Sequence, residues 1–408
     1  MKRREFIRFL SGMAALGLAL PRSRAQAQAR VVVVGAGWGG LGAVRALGGR
    51  VHLTVVEPNP RFMSCPLSIH YIVGSEPVET FQRGYDLFAR LGVNWVRERV
   101  SAIDRERRVV VAGGERIPYD YLVLSPGVEY MEEAIPGYGE ARELLPVGFR
   151  AFEQTAVKER FEAFLERGGE FVVSVPTPPY RCPPAPYERA MLFAERMRAR
   201  RVRGRIILID ANPEPVPAPL SAPVRRLLTE RYAQEIEYLP GATIERIDAA
   251  SRRIQTSLGE VPFTGGNLVL PMRAPALIRQ AGLGERWAAV RLPDFQSQAD
   301  ERIFIVGDAA GVPVPKAGHF AFGAGVQVGQ TILARLEGRA TPAGPQELPG
   351  AICWMAASSK ESIRINVTNS FVPGEGVRQR IEVEPTPSEA SGRAAFEWGR
   401  SMWSAMLG

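Results

Sequence analysis

Runs of β-branched apolar residues, each closing on a short turn of glycine or proline, recur along this chain. The first is Arg30-Val31-Val32-Val33-Val34, which ends at Gly35-Ala36-Gly37-Trp38-Gly39-Gly40. An apolar run without alternation predicts a strand buried on both faces, as in a parallel sheet. Helical spacing follows over about 41–47, then a second run over 51–56 that stops at Glu57. Together these predict a β-α-β unit. Residues 107–118 predict a hairpin turning at Gly113-Gly114. Residues 121–124 predict another buried strand, ended by Ser125-Pro126-Gly127. A second β-α-β unit is predicted from Glu170, with strand 171–175, helix 187–200 and strand 205–210. Residues 252–270 predict a further hairpin and strand. A late strand at 302–306 closes on Gly307-Asp308, and a long helix is predicted from about 322 to 336.

The elements describe an α/β protein with two Rossmann-like dinucleotide-binding domains and a small C-terminal domain. The expected bounds are 30–150 for the first part of the cofactor domain, 151–270 for the second domain, 271–340 for the return to the first, and 341–408 for a C-terminal interface domain. Residues 1–29 are set apart. They carry Lys2, Arg3 and Arg4, an apolar run over 9–20, and Ala25-Gln26-Ala27-Gln28-Ala29. That order predicts an export signal with an A-x-A cleavage site. The run has 12 residues, where a bilayer span needs about 20. Arg3-Arg4-Glu5-Phe6-Ile7 resembles a twin-arginine signal, which implies export of a folded, cofactor-loaded protein to the periplasm. Membrane attachment is not expected.

Charge and cysteine count narrow the function. The chain of 408 residues has a net charge of +8. Six basic residues against Glu5 fall within 1–29, so the chain from Arg30 onward keeps only about +3. That gives no case for a nucleic-acid partner. Three cysteines, Cys65, Cys182 and Cys353, are an odd number. At least one is therefore free, intermolecular or otherwise bonded.

The candidate chemistry begins at Gly35, Gly37 and Gly40. This G-x-G-x-x-G follows a strand and opens a helix, where glycine lets the backbone approach a pyrophosphate and the helix N-terminus points N–H groups at it. Glu57 lies 22 residues after Gly35 at the end of the second strand, the place for a carboxylate that accepts ribose hydroxyls. The segment Ile303-Phe304-Ile305-Val306-Gly307-Asp308 resembles the second FAD motif of the pyridine-nucleotide disulfide oxidoreductase superfamily. The resemblance implies a fold of the glutathione-reductase type with FAD in the first domain and Gly307 and Asp308 at its ribityl chain. In the second unit, the strand is followed by Pro176-Thr177-Pro178-Pro179-Tyr180-Arg181-Cys182-Pro183-Pro184-Ala185-Pro186. This turn has no glycine, and proline lacks the N–H that would cradle a phosphate. NADH is therefore not an expected partner.

Phe62-Met63-Ser64-Cys65-Pro66-Leu67-Ser68, the proline-rich loop through Tyr187-Glu188-Arg189-Ala190, and Cys353 resemble the flavin subunit of flavocytochrome c sulfide dehydrogenase. The resemblance covers nearly all of the chain after Arg30. It implies FAD bonded covalently through Cys65 and a redox disulfide between Cys182 and Cys353, with Cys353 nearer the flavin. It also implies sulfide as substrate, with electrons passed to a cytochrome c subunit or a soluble cytochrome c. In this fold Lys316, ahead of the long helix, would face the flavin and stabilise its reduced anion. For His319 and Trp38 a packing role is the default. Two rival readings share the same cysteine chemistry: a sulfide:quinone oxidoreductase at the membrane surface, bound through the aromatic tail 396–403, and a redox accessory protein that reactivates a sulfur carrier.

Overall fold

The computed structural model describes residues 28–339 and 344–408. All but the last two residues of the expected export signal lie outside the described residues. Strand β1 (Arg30–Val34) is followed by helix α1 (Trp38–Leu47) and strand β2 (His52–Val56), and β1 pairs with β2 in parallel from Arg30↔His52 to Val34↔Val56. Strand β3 (Asn94–Val96) extends the sheet beyond β2, and β4 (Tyr121–Leu124) flanks β1 on its other side. Between them, residues 109–118 form the hairpin at Gly113-Gly114. The apolar runs read as predicted: Val31 to Val34 and Leu122 to Leu124 are buried, as both faces of a parallel sheet require.

After helix α2 (Gln154–Arg167) the chain builds a second parallel sheet. Strand β5 (Gly169–Val175), helix α3 (Ala185–Arg200), β6 (Gly204–Asp210), β7 (Ile236–Pro240) and β8 (Gly265–Asn267) give the order β7-β6-β5-β8. The chain then returns. Strand β9 (Ile303–Ile305) adds to β4 in parallel, and helix α4 (Gly318–Leu336) follows it. Last come β10 (Gln346–Ala356), β11 (Ser362–Val372) and β12 (Gly376–Val383), an antiparallel sheet with β10 at one edge, and helix α5 (Glu389–Leu407).

Helices α1 and α4 cross with their backbones in contact. A Cβ added at Gly42 would stand 2.1 Å from the Phe322 carbonyl oxygen, and one at Gly325 would stand 2.0 Å from that of Gly39. Since β1 feeds α1 and β9 leads to α4, both helices start at the carboxyl ends of the strands, where open α/β sheets bind ligands. Helix α4 begins four residues before the predicted start. Gly318 opens the helix where a Cβ would stand 2.8 Å from the Trp38 ring. Packing overrides local propensity at this point.

Helix α5 lays its apolar face inward. Met402, Trp403, Met406 and Leu407 are buried, Trp403 meets Phe81 edge to face at 6.0 Å, and Arg90 donates to the Leu407 carbonyl at 3.0 Å. Trp403 belongs to the core, and Phe396 and Trp398 pack half-buried against it. Among the described residues, no helix is long and apolar enough to cross a membrane.

Candidate active site

A cleft of about 2050 Å³, partly open to solvent, runs along the carboxyl ends of β1, β2, β4 and β9. Its walls include Gly35, Gly37, Glu57, Cys65, Cys182, Gly307, Asp308 and Lys316. Gly40 stands behind the wall. A Cβ there would meet the Gly35 carbonyl oxygen at 1.8 Å, so this glycine serves the contact of turn and helix rather than the ligand. Glu57 is buried; its carboxylate accepts from the Ala36 amide at 2.8 Å and from the Asn59 amide and side chain at 2.8 and 2.6 Å. Gly307, Asp308 and Ala309 form a short 3-10 turn on the far wall.

These residues fit a dinucleotide. Gly37 caps α1 without a side-chain hydrogen bond, so the first amides of the helix have no capping side chain to satisfy them. A Cβ at Gly37 would meet no atom within 4 Å, although the φ of −75° suits any residue. The open volume there is what a pyrophosphate over a helix N-terminus requires. The buried indole N–H of Trp38, on the cleft wall, has no protein partner.

A second, largely apolar cavity adjoins the cleft. Cys65, Cys182, Lys316 and Gly318 line both spaces, and Cys353 lines the second alone. Cys182 thus lines both spaces. Cys182 and Cys353 share this cavity. Cys182 is held by its backbone. Its φ is +54°, uncommon for a residue with a side chain, and its amide donates to the Lys316 carbonyl at 3.0 Å. Burial pushes the Cys182 thiol well above its ordinary range, with Cys65 and Glu188 adding to the effect. Burial also pushes Cys353 up to about 12, with Glu188 contributing. Reduced, both rest as thiols at neutral pH.

Lys316 is buried, and its ammonium is engaged by the protein itself. Nζ donates to the Asp308 and Ala310 carbonyls at 2.7 and 3.0 Å and lies 3.8 Å from the centre of the Trp287 ring. Burial lowers its pKa to about 8. Through these contacts it holds the turn at Asp308 and Ala310 on the cleft wall. Arg181, beside Cys182, pairs with Asp308 at 3.3 Å and donates to the Phe149 carbonyl at 2.8 Å. Sequence reasoning assigned no role to Glu188. It lines the cysteine cavity, accepts from the Ala356 amide at 2.8 Å, and is pushed up to about 7 by burial. Its signal was its place in the first turn of α3, six residues after Cys182.

At the corresponding place in the second sheet a carboxylate is bound within the protein. Asp210, at the end of β6, is fully buried and accepts from the Tyr187 and Tyr238 hydroxyls at 2.7 and 3.0 Å and from the Asn212 amide and side chain at 2.9 and 2.8 Å.

A family model for pyridine nucleotide-disulphide oxidoreductases matches residues 29–159, and one for the central part of the flavoprotein chain of flavocytochrome c sulfide dehydrogenase matches residues 155–268. Together the two matches span residues 29–268 and support a flavoprotein of the pyridine nucleotide-disulphide oxidoreductase family. The family supports FAD as the cofactor, and the residues of the cleft fit it. Mitochondrial sulfide:quinone oxidoreductases from Mus musculus and Dictyostelium discoideum are each 23% identical to it, over 298 and 301 residues. The matches cover 69% of this chain in both cases but only 66% and 65% of those relatives. Among solved structures, the sulfide:quinone oxidoreductase of Aquifex aeolicus has a TM-score of 0.77 at 18% identity, covering 93% of this chain and 91% of that one. Putidaredoxin reductase, in its covalent complex with putidaredoxin, has a TM-score of 0.65 at 17% identity, covering 92% and 94%. The likeness confirms the expected fold, two Rossmann-like domains with a smaller C-terminal unit.

Proposed function

We propose that this protein is a sulfide dehydrogenase of the flavocytochrome c type, exported to the periplasm, with FAD bonded to Cys65 and a cytochrome c as electron acceptor. One observation carries the reading: Cys65 and Cys182 lie on the wall common to the cofactor cleft and the apolar cavity, with Cys353 on that cavity alone. The family model that spans the Cys182 loop supports sulfide as the substrate. The buried Asp210 network and the proline-rich turn support the absence of an NADH site in the second domain.

FAD held by the α1 N-terminus, Glu57 and the Asp308 turn supplies a two-electron acceptor that can release electrons singly. The protein's own steps precede it. Hydrosulfide attacks the Cys182–Cys353 disulfide; one S–S bond breaks, a persulfide S–S bond forms on one cysteine, and the other leaves as a thiolate. The attacking sulfur is oxidised and the leaving cysteine sulfur is reduced, so no outside oxidant enters this step. Glu188, in the same cavity and near 7, takes up the proton that sulfide brings. The apolar walls keep water from the persulfide.

A second reading, quinone as acceptor, draws on the likeness to the Aquifex aeolicus fold and on the apolar cavity. The buried apolar face of α5 speaks against the membrane contact it requires. Sulfide turnover measured side by side with oxidised cytochrome c and with a water-soluble quinone separates the two. Faster reduction of cytochrome c is expected; reduction of the quinone alone would move the protein to the second reading.

A further inference from the structure

Strand β10 carries Cys353 at the outer edge of its sheet, so alternate amides on that edge have no neighbouring strand to pair with. Two of these amides, flanking the cysteine, are bonded by side chains from two other parts of the chain. The Ile352 amide donates to Nδ1 of His319, on the first turn of α4, at 3.1 Å. The Ala356 amide donates to Glu188, on α3, at 2.8 Å. Beyond Ala356 the strand is tied again to the second domain. Tyr232 donates to the Ala357 carbonyl at 2.6 Å, and Glu195 accepts from the Ser359 amide at 2.6 Å. On the Ile352 side, the histidine is a polar tie to the cofactor domain. Its ring also lies 5.9 Å from that of Trp398 on α5.

We propose that His319 is a positioning residue for Cys353, which its Nδ1 holds against Cys182 by fixing the amide of the preceding residue. An imidazole that accepts at Nδ1 must be neutral and carry its proton on Nε2. Burial keeps it so by lowering its pKa to about 4. Without the acceptor, Ile352 loses the partner of a part-buried edge amide, and the edge shifts to find water. Cys353 then samples positions away from Cys182, and the effective concentration of one thiol at the other falls. His319 touches neither reacting sulfur in this argument; it acts through Ile352.

The inference rests on reading Cys182 and Cys353 as a redox pair, and the test separates the two ideas. The full-length, FAD-loaded protein is equilibrated in glutathione redox buffers, alkylated, and scored by mass spectrometry for the Cys182–Cys353 disulfide. His319→Asn keeps an acceptor oxygen at the place of Nδ1 and should stay within about twofold of the unmodified protein. His319→Phe keeps a ring without the acceptor and should shift the exchange equilibrium toward dithiol by roughly tenfold, about 30 mV. Should the Phe variant not fold, His319→Leu carries the same expectation. Equal behaviour of the Asn variant and the acceptor-free variant overturns the positioning role. No disulfide in any buffer, in the unmodified protein, overturns the redox pair itself.

Discussion

Cys65, Cys182 and Cys353 are far apart in the chain, and their meeting on adjoining cavities is the central fact at the scale of single residues. Their identities were legible because each sits in a distinctive local segment. Glu188 and His319 were not legible as site residues. Their roles come from hydrogen bonds to Ala356 and Ile352, 168 and 33 residues away, and no local pattern announces such partners. Cys65→Ser should leave FAD in the cleft but release it on acid denaturation, whereas FAD stays with the unmodified polypeptide; absorbance of the precipitate and supernatant reads the difference. Glu188→Gln should slow reduction by sulfide by about 10²–10⁴-fold. The sign of its pH dependence follows from a carboxyl raised to about 7: protonated below that pH and a base above it. At fixed hydrosulfide concentration, the rate should rise as pH passes through 7 and become flat in the Gln variant.

At the scale of elements, the parallel strands were readable because burial on both faces removes polar alternation. The starts of α1 and α4 were less so. Glycine is a poor helix former, yet Gly39, Gly42 and Gly325 let two helices touch backbone to backbone, a need that appears only once the helices meet. Gly325→Leu should therefore force α1 from α4. The expected result is a loss of about 3 kcal/mol or more, seen as a lower Tm together with a reduced FAD content. The three-stranded sheet of 346–383 lay hidden in a segment legible only as mixed. Its strands depend on each other and on His319 and Glu188 rather than on strong local pattern.

The whole molecule brings a cofactor domain, a second domain with Asp210 buried in a hydrogen-bond network at the end of β6, and a C-terminal sheet to the cavity that the cysteines line. Under the proposed function electrons enter through sulfur rather than through a nicotinamide. NADH should neither bind tightly nor bleach the flavin, and anaerobic titration with NADH checks this. The most direct test of the account is rapid anaerobic mixing of sulfide with the FAD-loaded protein and its Cys353→Ser variant, following the flavin absorbance. The account predicts prompt bleaching in the unmodified protein and, in the variant, retained FAD that sulfide fails to reduce. Bleaching of the variant at the unmodified rate would contradict the account, because sulfide would then reach the flavin without the cysteine pair.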